Sequence, residues 1–92
     1  MVRRILELYV AGDNIHSRRA KDNLDDIVGL LGEMVSVEVI DVIKAPAAAF
    51  ARRIFATPAL IAISDEQTTL IIGDLSDRAA VLHKLGVSPG KV

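Results

Sequence analysis

The stretch Ala56-Thr57-Pro58-Ala59-Leu60-Ile61-Ala62-Ile63 sets a proline directly before a short, almost wholly apolar run, which gives way to the polar Ser64-Asp65-Glu66-Gln67-Thr68. Proline lacks the N–H that a sheet ladder needs, so it belongs at the start of a strand and not in its interior. The run behind it has strand length. With Ala and Ile on both parities, it predicts a strand buried on both faces. An X-Pro bond is also the common route to a cis peptide, a feature of tight turns. Past the polar connection, Thr69-Leu70-Ile71-Ile72 predicts a further strand and hence a hairpin.

Upstream, residues 5–10 alternate Leu6, Leu8 and Val10 against Ile5, Glu7 and Tyr9, the period of a strand. Ala11-Gly12-Asp13-Asn14 is turn chemistry. Ser17 is the expected cap of a long helix, in which Ala20, Leu24, Ile27, Val28 and Leu31 make one apolar stripe and Gly32 is the stop. Val35, Val37 and Val39, extended by Ile40 and Val42, predict a second strand, parallel to the first across the helix. Pro46 suits the first position of a second helix, with Ala47, Phe50 and Ile54 as its expected apolar side and Arg52 and Arg53 at its end. Gly73-Asp74-Leu75-Ser76 breaks the last strand, and Asp74 or Ser76 is the expected cap of a final helix. The apolar face of that helix is Ala79, Leu82 and Leu85, or else Leu75, Ala79 and Leu82, and Gly86 ends it. Residues 87–92 read as a flexible tail.

The resulting order, βαβαββα, is that of a thioredoxin-like α/β domain spanning residues 1–92, with expected sheet order 2-1-3-4 and helices on both faces. Thr57-Pro58 resembles the cis-proline of such domains. The chemistry does not follow. The chain has no cysteine, so it forms no disulfide, binds no metal through thiolate and runs no dithiol exchange. His16 and His83 lie in different elements without ligand spacing beside them, and no metal or other cofactor is expected. Asp22, Asp25 and Asp26 read as a solvated helix surface, and no nucleophile elbow or phosphate loop is present. At 51% hydrophobic and net charge −1, the chain is neither disordered nor basic enough for nucleic acid. No apolar stretch has the length of a membrane span, and Glu7 interrupts what would otherwise resemble a leader, so a cytoplasmic, non-enzymatic protein is expected. Arg18 and Arg19, in a first helical turn where cations are disfavoured, point to a role facing a partner.

Leu8-Tyr9-Val10-Ala11-Gly12, Ser17 with Arg19-Ala20, Val39-Ile40-Asp41-Val42, Ala56-Thr57-Pro58 with Leu60, and Ile71-Ile72-Gly73-Asp74-Leu75-Ser76-Asp77-Arg78 together resemble the KaiB family, in order and over nearly the whole chain. The resemblance implies a clock adaptor that binds the hexameric ATPase KaiC, recruits KaiA or competes with the kinase SasA, whose sensory domain is similar. It also implies a second fold, βαββααβ, in which the chains assemble as dimers or tetramers. By correspondence Arg19 and Arg53, with Thr57 and Pro58, are the partner-binding residues. Glu38 stands where well-known members carry Lys, a reversal that argues against KaiA. Lys84 and Gly86 stand where the family usually has Gly and Asp, in the region that rearranges. Ala and Arg are poor strand residues and Lys84 favours helix over glycine, so an isolated monomer is expected to favour the thioredoxin-like form more than a typical member of the family does. Two further readings fit the residues: a stand-alone SasA-type sensory domain, and a thiol-independent ligand-binding protein using Ser17 and the Pro58 loop.

Overall fold

The computed structural model describes residues 4–32, 34–65 and 67–86; the tail expected at 87–92 lies outside them. Its elements are β1 (Arg4–Val10), α1 (Ile15–Leu31), β2 (Val35–Asp41), α2 (Pro46–Ala51), β3 (Ala59–Ile63), β4 (Thr68–Ile72) and α3 (Arg78–Lys84). The strands form one mixed sheet in the expected order β2-β1-β3-β4, with β1 parallel to β2 and antiparallel to β3, and β3 antiparallel to β4. The Thr57-Pro58 bond is cis. Central β1 and β3 are buried almost throughout, as their two-sided apolar patterns require.

The two faces of the sheet are covered unequally. Leu6, Leu8, Val10, Leu60, Ala62 and Ile71 point to one side and pack with Ala20, Leu24 and Ile27 of α1 and with Val81, Leu82 and Leu85 at α3. Leu24 and Ile27 are at most 1% exposed, and each contributes about 1.5–3 kcal/mol by leaving water. The opposite side carries only α2 and a small cluster of Tyr9, Ala49 and Ile61.

Three local expectations need correction. The cap of α1 is Asn14 and not Ser17: the Asn14 side chain accepts from the Ser17 N–H at 3.0 Å, and Ser17 is buried in the first turn. Asn14 is in extended backbone and its short amide reaches the third residue beyond it, which is the geometry a cap requires. The cap of α3 is Asp77, accepting from Ala80 N–H at 3.1 Å. Asp74 is spent earlier, accepting from Ser76 N–H within the preceding turn. With the start moved on, Val81, Leu82 and Leu85 face the core with Leu75, while Ala79 is exposed. Finally, Ala49 and not Phe50 is the buried residue of α2. The helix has only six residues, and the chain turns back at once, so the stripe anticipated from Ala47 to Ile54 never forms.

Candidate partner-binding face

The end of α2 is closed by two hydrogen bonds, Arg53 N–H to Phe50 C=O at 3.0 Å and Ile54 N–H to Ala49 C=O at 2.9 Å. This pair is the Schellman arrangement, which places one residue in the left-handed region. Glycine is the usual occupant; here it is Arg53, at φ 56°. A side chain held there costs about 1 kcal/mol, and such local strain concentrates where a surface has work to do. The turn sends Arg53 and Phe55 outward.

Arg53, Ile54, Phe55, Ala56, Ala59, Leu70 and Ile72 line a shallow apolar groove of about 90 Å³ between this turn and β4. Both phenylalanines of the chain, Phe50 at 79% and Phe55 at 85%, are exposed, as are Leu70 and Ile72. Leu70 pairs with Ile61, which packs beneath Ala49, so Leu70 and Ile72 share the α2 side of the sheet. The result is an apolar surface bordered by the Arg52-Arg53 cations. Aromatic and arginine side chains are the commonest anchors of protein interfaces.

Under this surface lies a buried polar group. Glu7 of β1, 9% exposed, accepts from the Tyr9 hydroxyl at 2.9 Å and from Arg52 at 3.0 and 3.1 Å. Burial first, and then the hydrogen bond to the Glu7 carboxylate, raise the Tyr9 pKa above 10.0. The same carboxylate raises that of Arg52.

The remaining residues singled out from the sequence are scattered around this face. Neither Pro58 nor Thr57 lines the groove: the Pro58 carbonyl accepts from Gly73 N–H at 2.9 Å at the end of β4, and Thr57 beside it is exposed. Arg19 does not line the groove. It stands on α1, and its charge helps lower the Asp74 pKa, after the larger effect of hydrogen bonds from Ser76. Arg18 beside it is exposed and is bonded to Asp13 at 3.0 Å. Lys84 lines a separate hollow against the Gly73–Asp77 turn, and Gly86 at φ 81° closes α3. Glu38 is exposed on β2. Phe50, Phe55 and the Glu7–Tyr9–Arg52 group were not anticipated. Their signal was present in Phe50-Ala51-Arg52-Arg53-Ile54-Phe55, with cations between aromatics, and in a lone carboxylate on a central apolar strand.

Among the described residues no group of His, Asp or Glu is arranged to hold a metal ion, and no helix is long and apolar enough to cross a membrane. What the face presents is exposed apolar area beside the Arg53 side chain.

The fold is shared with solved structures of low sequence identity. Mitochondrial thioredoxin 3 of Saccharomyces cerevisiae superposes with a TM-score of 0.76 at 17% identity, over 95% of this chain and 81% of that one. The N-terminal domain of Synechococcus elongatus SasA gives 0.75 at 24% identity, over 100% and 91%. By sequence, the chain is similar to the circadian clock oscillator protein KaiB of Prochlorococcus marinus MIT 9313, 47% identical over 79 residues, 85% of this chain and 66% of that one. It is likewise similar to that of Nostoc punctiforme, 46% identical over 85% of this chain and 76% of that one. The KaiB domain model matches residues 7–87. A match of that extent, on a thioredoxin-like frame without a thiol, makes the chain a member of the KaiB family.

Proposed function

We propose that the chain is a non-enzymatic, cytoplasmic KaiB-type adaptor that docks on a KaiC-like hexameric ATPase and modulates its cycle. The observation that carries this reading is the exposed surface of Phe50, Arg53 and Phe55 beside a strained turn, in a chain of the KaiB family. Arg53 lies on this surface, Thr57 and Pro58 stand in the chain between its lining residues Ala56 and Ala59, and Arg19 is a separate contact on α1. KaiA is not among the proposed partners, because Glu38 presents a negative charge on β2.

The test is a pull-down with a KaiC hexamer, comparing the unaltered chain with Arg53→Glu and Phe55→Ala. Capture by the unaltered chain and loss in both variants is the expected result. No capture by any KaiC homologue removes the reading. A second reading, a sensory domain that acts on a histidine kinase, is favoured by the likeness to the SasA domain over the full chain. Binding to a kinase in preference to the ATPase ring distinguishes it.

A further inference from the structure

The side of α2 that meets the sheet runs against its sequence. Ala49 sits against Tyr9 and Ile61, while its neighbour Phe50 is 79% exposed. Phenylalanine gains far more than alanine by leaving water. The shortness of the helix takes Ile54 off the anticipated stripe, but it does not decide between these two residues. Adjacent helical positions differ by about 100° around the axis, so a roll of one residue exchanges Ala49 for Phe50 over the same apolar seat.

Arg52 opposes that roll. It follows Ala49 by three residues and so lies on the same side of the helix. From there its Nε and Nη2 reach the Glu7 carboxylate at 3.0 and 3.1 Å. Glu7 belongs to the central strand β1 and is 9% exposed. A carboxylate so deeply placed is costly without a cation. Among the described residues its other donor is the neutral Tyr9 hydroxyl. Rolling Phe50 inward carries Arg52 away from the strand and leaves Glu7 with that donor alone. The ion pair and the burial of Phe50 are therefore alternatives, and the chain adopts the first.

We propose that Glu7 and Arg52 are positioning residues for the docking face: their ion pair fixes the rotation of α2 at which Phe50 and the Arg53 turn stay in water, available to a partner. Neither residue needs to touch the partner for this. The left-handed Arg53 turn follows the anchored residue directly, so the same rotation also sets where Phe55 emerges. The docking half of the inference rests on the reading of this face as a KaiC-binding surface; the rotation of α2 does not.

The test uses the full chain carrying Phe50→Trp, a single tryptophan in a protein that has none. With the ion pair intact, its fluorescence is expected at the red, water-exposed end and to be freely quenched by acrylamide. Adding Glu7→Val removes the acceptor and is expected to shift the maximum to the blue and cut quenching severalfold, with circular dichroism unchanged. A helix that merely frays leaves the emission red, so the direction of the shift separates re-seating from loosening. Glu7→Gln keeps the side-chain size, is expected to give a smaller blue shift, and carries the test if Glu7→Val does not fold. In the chain with its own Phe50, capture by a KaiC hexamer is expected to be lost in Glu7→Val and kept in Arg52→Lys, which preserves the charge. Emission that stays red in whichever Glu7 variant keeps the native circular dichroism overturns the proposal. So does a blue maximum with the ion pair intact, or a blue shift with undiminished capture. Failure of the unaltered chain to capture KaiC removes the docking reading instead, and the fluorescence still decides the rotation of α2.

Discussion

Arg52 holds Glu7 at two points, with its Nε 3.0 Å from Oε1 and its Nη2 3.1 Å from Oε2. The pair joins the cap of α2 to the central strand β1 across 45 residues of sequence. Apart from Ala49, little else of α2 is buried, so this ion pair is its main fastening to the sheet. Arg52→Ala leaves a carboxylate on a nearly buried residue with one remaining donor. The expected cost is about 1–2 kcal/mol, below the roughly 3–5 kcal/mol of a fully buried pair, because the Arg52 side chain is 44% exposed and water replaces part of the loss. Replacing both residues by leucine is expected to cost less than Arg52→Ala alone. Urea unfolding midpoints of the single and double variants provide the check.

Tyr9 is the chain's one tyrosine, so its ionisation can be followed by phenolate absorbance without interference. Its pKa is raised above 10.0 in the folded state. Above pH 10 the unfolded chain therefore gives up the phenolic proton first, and the folded state binds more protons. The stabilisation is fully present below pH 10 and is lost as pH rises through the folded pKa. Glu7→Gln is expected to bring the titration back toward the unperturbed value while leaving the desolvation effect in place.

Arg53 occupies a backbone conformation that favours glycine. Arg53→Gly is expected to stabilise the chain by about 0.5–1 kcal/mol by relieving the left-handed strain, less the extra freedom glycine gives the unfolded chain. The same variant is expected to weaken capture by a KaiC hexamer. A rise in unfolding midpoint together with a loss of binding separates the strain from the charge.

Residues 47–51 are helical here, whereas the alternative fold associated with the family rebuilds the C-terminal half. Ala-rich sequence with flanking Arg resists strand formation, and Lys84 within α3 favours helix over glycine by up to about 1 kcal/mol. Backbone chemical shifts in dilute solution are expected to report helix at 47–51. Strand shifts there overturn the expectation.

The frame was legible because its signals are local and periodic. The stripe from Ala20 to Leu31 and the two-sided run after Pro58 each decide one element, and the full βαβαββα succession gives the sheet order. The capping residues were not, since Ser17 and Asn14 are both good caps and only backbone geometry chooses between them. The candidate face was half legible. Arg53 and Pro58 were marked by correspondence, but Phe50 was assigned to the core on helical spacing that a six-residue helix does not sustain. The contact between Glu7 and Arg52 is long-range, and no local pattern in sequence announces it.

The unequal cover of the sheet has a thermodynamic consequence. Phe50, Phe55, Leu70 and Ile72 remain in contact with water in the free chain, and removing such surface lowers the heat capacity of the solution. Calorimetry at several temperatures should thus find that association at this face becomes steadily more exothermic on warming. A partner held through Arg19 and the Asp74 loop alone would show a much flatter dependence.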